Sequence, residues 1–213
     1  MHFLSSLLED YIQDSSENEP DILKELSRET HLKVIQPRMI TGHFQGRVLS
    51  MLSKIIHPKN ILEIGTYTGY SAICLAEGLQ NEGQLHTIDI NEELTNFQRR
   101  YFDKSGFGPQ IIQHTGNALK IIPKLDKKFD LVFIDAEKRE YPKYFETVME
   151  KTVSGSIILS DNVLWSGKVV EPLNEKDQAT RVLLTYNQKL KEDPRIETVL
   201  LPIRDGLTLS RVL

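Results

Sequence analysis

The sequence predicts an α/β fold: a doubly wound, mostly parallel sheet with N-terminal helices and a C-terminal antiparallel hairpin. Three observations carry this. From Asn60 onward, short apolar runs alternate with amphipathic stretches, the signature of strand–helix units laid into a parallel sheet with both faces covered. The stretch Leu62-Glu63-Ile64-Gly65-Thr66-Tyr67-Thr68-Gly69-Tyr70-Ser71 reads as a strand entering a glycine turn and a helix start. The last two apolar runs are separated only by Pro202-Ile203-Arg204-Asp205-Gly206. A parallel crossover needs a dozen residues or more, so that link favours a hairpin. The whole is a Rossmann-like arrangement.

The elements follow in order. Phe3, Leu4, Leu7, Leu8 and Tyr11 repeat at helical spacing. Residues 15–21 form a polar turn, with Pro20 or Asp21 opening a second helix. A third helix is expected over 42–56, ended by His57-Pro58. Strands are expected at Asn60–Ile64, Gln84–Asp89, 110–114, 131–135, 156–160, Ile196–Leu201 and Leu207–Val212, with helical stretches at 71–79, 91–104 and 141–148. No linker is long enough to separate an independent domain. The expectation is therefore one domain over 1–213, with 1–58 a helical cover and 59–213 the α/β core.

Composition narrows the class. The chain has 213 residues, 39% of them hydrophobic, and no run approaching a membrane span. Residues 1–14 lack a basic leader and carry acids early, so no secretory signal is expected and a cytoplasmic location is. Cys74 is the single cysteine, which excludes an internal disulfide; between Ile73 and Leu75 it reads as a packing residue. The net charge, 26 − 30 = −4, with both signs mixed, argues against a broad basic surface for nucleic acid. Arg99-Arg100 and Lys127-Lys128 read as solvated pairs. No membrane partner is implied.

In doubly wound sheets, ligands bind outside the carboxyl ends of the strands. Gly65 and Gly69 fall just past the first strand, where glycine allows a tight turn and a close backbone approach. Their G-x-x-x-G spacing lacks the dinucleotide pattern, which disfavours NAD. Asp89 ends the second strand, in position to accept hydrogen bonds from ribose hydroxyls, and Glu63 adds a second acid. Two carboxylates without a phosphate cradle suit a cationic cofactor, and S-adenosyl-L-methionine fits. The plainer alternative is a pair of turn glycines and a helix-capping aspartate.

Asp135, Asp161 and Asn162 end later strands and offer only oxygen, the donor set of a divalent cation such as Mg²⁺, Mn²⁺ or Ca²⁺. Such an ion would chelate a vicinal diol and lower its hydroxyl pKa. Lys138, three residues beyond Asp135, is the candidate general base. Here too the alternative is a set of caps and turns, with Lys138 solvated.

The motifs EIGTYTGYS (63–71), IDAEK (134–138) and SDNVLW (160–165), together with residues 37–42 and 205–209, resemble the metal-dependent class I O-methyltransferases of the caffeoyl-CoA and catechol type, above all their small bacterial members. The resemblance covers nearly the whole chain. It implies S-adenosylmethionine on the glycine motif and a divalent cation on Asp135, Asp161 and Asn162. Met39 and Thr41 would touch the cofactor from the N-terminal side, and Glu63, Gly65 and Ser71 would hold its amino-acid end. Asp89 would take the ribose, Ala118 the adenine region and Tyr144 the methionine portion, with Asp135 serving cofactor and metal. Trp165 would line the acceptor pocket, simple packing being the alternative. The family also implies a homodimer.

Glu137, Arg139-Glu140 and the 171–180 loop depart from the plant pattern, so acyl-CoA specificity is not carried over, and Arg181 is assigned no role. The function read from the sequence is methyl transfer from S-adenosylmethionine to a hydroxyl of a small, metal-chelated, vicinal dihydroxy aromatic. Asp135 and Lys138 are its catalytic pair. The rivals are a metal-independent or N-directed methyltransferase, a non-catalytic cofactor-binding protein of the same fold, and a dehydrogenase.

Overall fold

The structure is a computed structural model that describes residues 5–174 and 176–213. Phe3 and Leu4, the first members of the N-terminal apolar stripe, lie outside the described residues. Seven strands form a mixed sheet in the order β3-β2-β1-β4-β5-β7-β6, and the α/β class with its C-terminal hairpin is as the sequence predicts. The chain divides into two compact units that meet in sequence at Asn117 and Ala118.

The first unit holds α1 (Ser6–Asp14), α2 (Asp21–Lys33), α3 (His43–Ile56), β1 (Asn60–Ile64), α4 (Tyr70–Ala76), β2 (Gln84–Asp89), α5 (Thr95–Lys104) and β3 (Ile111–Thr115). β1, β2 and β3 are parallel, with Asn60 opposite Gln84 and Leu85 opposite Ile111. Four of the five residues of β1 are buried in an unbroken run, as expected of a strand covered on both faces. All seven residues of α4 are buried as well. α3 packs along it: Ser53 Oγ donates to the Leu75 carbonyl at 2.6 Å, and Arg47 grips Glu77 at 2.8 and 3.0 Å.

α2 buries Leu23, Leu26 and Thr30. It is held to α5 through Glu29, whose carboxylate accepts from Lys33 on its own helix (2.7 Å), from Arg100 (2.7 Å) and from the Tyr101 hydroxyl. Hydrogen bonds from Lys33 and Tyr101, then from Arg100, hold its pKa down at about 2.

The second unit, Ala118–Leu213, holds α6 (Ala118–Ile121), β4 (Leu131–Ile134), α7 (Tyr141–Met149), β5 (Ile157–Asp161), α8 (Gln178–Glu192), β6 (Ile196–Leu201) and β7 (Leu207–Val212). β4 and β5 are parallel; β7 runs antiparallel to both β5 and β6, with Asp161 opposite Leu207. No helix among the described residues is long and apolar enough to cross a membrane.

Several details differ from the sequence reading. The helix expected over 71–79 runs Tyr70–Ala76, and α3 and α7 each differ by one residue at one end. The 91–104 stretch splits into a 3₁₀ turn (Glu92–Leu94) and α5, because the Asn91 side chain accepts from the Glu93 N–H and caps a short turn first. β3 and β5 each start and end one residue later than expected. β4 ends at Ile134, which leaves Asp135 just outside the strand. The sequence reading also did not place α8. Asp177 caps it by accepting from the Thr180 N–H at 3.1 Å, and Leu183, Tyr186 and Leu190 are buried at helical spacing.

The Glu29 network gives a stability prediction. A carboxyl with a depressed native pKa contributes stability above its unfolded value near 4.5, and loses it as pH falls through about 2. Replacing Glu29 with Gln is expected to cost about 1–3 kcal/mol at pH 7. That cost should shrink steadily between pH 4.5 and 2 in urea melts. A cost that stays constant across that range would contradict the assignment.

Candidate active site

In the first unit the turn after β1 is built on backbone that few side chains tolerate. Gly65 and Gly69 have φ of 102° and 91°, and Tyr67 between them has φ of 48°. The need for glycine at 69 is partly internal: a Cβ there would sit 2.5 Å from the Phe102 ring. Tyr67 is tied at every polar group. Its N–H donates to Asp89 Oδ2 at 2.7 Å, and its carbonyl accepts from Gln98 at 2.7 Å. Its hydroxyl lies 3.1 Å from the carbonyls of Ile35 and Gln36. The backbone leading to Met39 and Thr41 is thereby fastened to the glycine turn.

The predicted donor-side residues of this unit are placed as follows. Met39 ends a 3₁₀ turn (Pro37–Met39) and is 58% exposed, whereas Thr41 is buried. Glu63 is fully buried on β1 and accepts from the Thr87 hydroxyl at 2.5 Å; Thr87 in turn meets Thr66. Ser71 is buried in the first turn of α4. Asp89, at the end of β2, has Oδ2 on Tyr67 N–H and Oδ1 on Asn91 N–H at 2.8 Å. Both oxygens are oriented, and each keeps a further lone pair. Ala118, Asp135 and Tyr144 belong to the second unit; Ala118 opens α6, and Tyr144 is buried on α7.

The second unit brings Asp135, Lys138, Asp161 and Asn162 into one cluster. Lys138 opens the 3₁₀ turn Lys138–Glu140 and is 8% exposed. Its Nζ donates to Asp135 Oδ1 at 2.7 Å and to the Tyr141 hydroxyl at 2.7 Å. The Tyr141 hydroxyl faces the carbonyls of Asp161 (2.9 Å) and Ile134 (3.2 Å). Asp161 is 2% exposed, and its Oδ1 accepts the Asn162 N–H at 2.8 Å. Asn162 is left-handed, with φ of 57°, a conformation asparagine tolerates better than most residues. Burial, reinforced by the Asp135 and Asp161 charges, pushes the Tyr141 phenol well above its ordinary pKa, so it stays protonated.

Tyr141 was not among the sequence candidates. The signal that marks it is its spacing, i+3 from Lys138 on a helical turn. The solvated alternative for Lys138 does not hold.

Among the described residues, no three His, Cys, Asp or Glu side chains are grouped to hold a metal. The predicted set, two carboxylates and one amide, is of a different composition. Its chemistry fits a hard cation: all three donors are oxygens, and one carboxylate is nearly inaccessible.

Trp165 and Ser166 follow with φ of 48° and 54°, opening the turn Trp165–Val170. The segment is held from the 203–206 turn: Leu164 N–H reaches the Asp205 carbonyl at 2.9 Å, and Ser166 N–H its carboxylate at 2.5 Å. The Trp165 indole nitrogen is buried and finds no hydrogen-bond partner among the described residues.

A mostly parallel α/β sheet with these strand-end clusters defines the Rossmann-like methyltransferase class. Comparison with known proteins gives the family. The family model described as O-methyltransferase matches residues 13–213. Caffeoyl-CoA O-methyltransferase 5 of Nicotiana tabacum is 36% identical, over 97% of this chain and 91% of the relative. A SAH-bound methyltransferase of Podospora anserina is 30% identical with a TM-score of 0.88, covering 97% of this chain and 94% of that one. The O-methyltransferase TomG of Streptomyces achromogenes, solved in complex with SAM, is 26% identical with a TM-score of 0.88, covering 97% and 96%. The chain belongs to the O-methyltransferase family, with caffeoyl-CoA O-methyltransferases among its relatives.

Cys74 is fully buried on α4, and burial pushes its thiol up to about 12. Since the thiolate is the reactive form, iodoacetamide at pH 8 is expected to leave the native protein unlabelled and to label it fully in urea. Rapid native labelling would give Cys74 a role that this packing denies it.

Proposed function

We propose that the protein transfers a methyl group from S-adenosyl-L-methionine to one hydroxyl of a small vicinal dihydroxy aromatic held with a divalent cation. The observation that carries this is the buried Lys138 paired with Asp135 beside Asp161 and Asn162. Family membership supports the same chemistry.

On the donor side, Asp89 would accept the ribose hydroxyls with the lone pairs its two backbone contacts leave open. Glu63, Gly65 and Ser71 would take the amino-acid end, with Met39, Thr41, Ala118 and Tyr144 completing the donor contacts. On the acceptor side, Asp135, Asp161 and Asn162 would hold Mg²⁺, or Mn²⁺ or Ca²⁺. When bound, such an ion polarises a hydroxyl and lowers its pKa. Lys138 accepts the hydroxyl proton at Nζ, and Asp135 keeps the amine in place. Trp165 would line the acceptor.

A sulfonium methyl is intrinsically reactive, so the chain's main contribution is positioning. Fixing oxygen, carbon and sulfur in line supplies about 7–11 kcal/mol where alignment is good. A homodimer and a cytoplasmic location complete the reading.

Incubation with S-adenosylmethionine, Mg²⁺ and a dihydroxyphenyl acceptor is expected to yield a mono-O-methylated product, and EDTA should abolish it. Full turnover in EDTA would remove the cation from the reading. Lys138→Met should lower kcat by about 10²–10⁴-fold. Asp161→Ala and Asn162→Ala should each suppress activity while leaving calorimetric binding of S-adenosylmethionine intact. Undiminished turnover in both variants would favour a metal-independent enzyme.

A further inference from the structure

We propose that Tyr141 is the positioning residue that aims Lys138, leaving its amine a single direction in which to exchange a proton. The inference rests on the reading of Lys138 as the acceptor's proton partner.

A lysine nitrogen has three tetrahedral vertices besides its carbon. Asp135 Oδ1 and the Tyr141 hydroxyl oxygen occupy two of them, each at 2.7 Å. Which way the Tyr141 hydrogen points decides the rest. A hydroxyl has one hydrogen, and the carbonyls of Asp161 at 2.9 Å and Ile134 at 3.2 Å can only accept it. The hydrogen is therefore turned away from Lys138, and the phenol oxygen faces Nζ purely as an acceptor. As an ammonium, Lys138 directs its third N–H along the remaining vertex. As a neutral amine, it keeps two N–H bonds on Asp135 and Tyr141, and the lone pair takes the same vertex. The direction is identical in both states. A phenol free to donate would instead occupy the lone pair and silence it.

The ring is fixed independently of its hydroxyl. Tyr141 is fully buried, packs edge-on against Tyr186 with centroids 5.4 Å apart, and lies 4.9 Å from Nζ. Tyr141→Phe therefore removes the acceptor oxygen and little else that faces Lys138.

Tyr141→Phe is expected to lower kcat about tenfold to a hundredfold, part of what a general base contributes. The acceptor KM and the calorimetric Kd for S-adenosylmethionine should stay within about twofold, since neither reports on proton exchange. The deciding measurement is the double-mutant cycle. In a Lys138→Met background, adding Tyr141→Phe should change kcat by less than about twofold. An equal loss in both backgrounds would mean that Tyr141 acts through packing, and would overturn the proposal. A wild-type rate in Lys138→Met would overturn the base reading itself. A slow Lys138→Met beside an unimpaired Tyr141→Phe would overturn this inference alone. If Tyr141→Phe fails to fold, p-aminophenylalanine at 141 serves instead. Its N–H groups still reach both carbonyls, but its nitrogen is a poor acceptor, so the kcat loss should persist in a folded protein; a wild-type rate there would overturn the proposal.

Discussion

Burying the ammonium of Lys138 strips it of water, and the ends of β4 and β5 are arranged to replace that hydration. An unpaired buried charge costs several kcal/mol, so an 8% exposed lysine implies partners. Asp135 supplies the countercharge and Tyr141 a neutral acceptor. Tyr141 is itself buried and must place its own hydrogen, which it does on carbonyls at the ends of both strands. The single phenol hydrogen lies within reach of both carbonyls, so its placement ties the ends of β4 and β5 together. Tyr186 of α8 packs against that phenol's ring, and its own hydroxyl meets Ser160 of β5 at 2.7 Å. Hydrogen bonds and ring packing together thus link the Lys138 amine to the helix behind it.

The first unit solves a similar problem with backbone. Its glycine turn leaves N–H groups past the end of β1, and Asp89 of the neighbouring strand takes one of them from Tyr67. The same carboxylate takes Asn91 N–H, so the ends of β1 and β2 share one anion. A residue proposed to hold a ligand is in this way already held by the fold. This accounts for why an acid belongs at that position whether or not a ligand is present, and why a cap and a ligand contact are not competing explanations for Asp89.

The parts of this design legible in the sequence are those governed by local period. β1, β2, β6 and β7 fall at their expected bounds because apolar runs and turn residues delimit them sharply. α8 escaped because its buried positions, Leu183, Tyr186 and Leu190, are spread among polar residues. Its start is set by a single side-chain contact from Asp177. Asp135, Asp161 and Asn162 were visible as strand-end oxygens. Tyr141 was not, because its importance lies in two carbonyls that are remote in sequence from each other. The sequence marks Gly69 for a tight turn and a close backbone approach, but the Phe102 ring against it is a tertiary fact that no local pattern contains.

On the proposed reading, the same division separates reaction from acceptor. Lys138, Asp135, Asp161 and Asn162 stand at or just past strand ends, where register fixes the backbone and buried bonds fix the side chains. The segment beyond them is of another kind. Trp165 and Ser166 sit in left-handed backbone, and Val170 and Leu173 are exposed. The segment is tethered by Asp205 at one end and by a Lys168–Asp177 ion pair at 2.8 Å further along, a surface contact that solvent screens. Loops with so few constraints change sequence freely while the scaffold beneath them stays fixed. On the proposed reading, the chemistry of this chain rests on short, rigid motifs, and the choice of acceptor would fall to a stretch whose conformation depends on weak contacts.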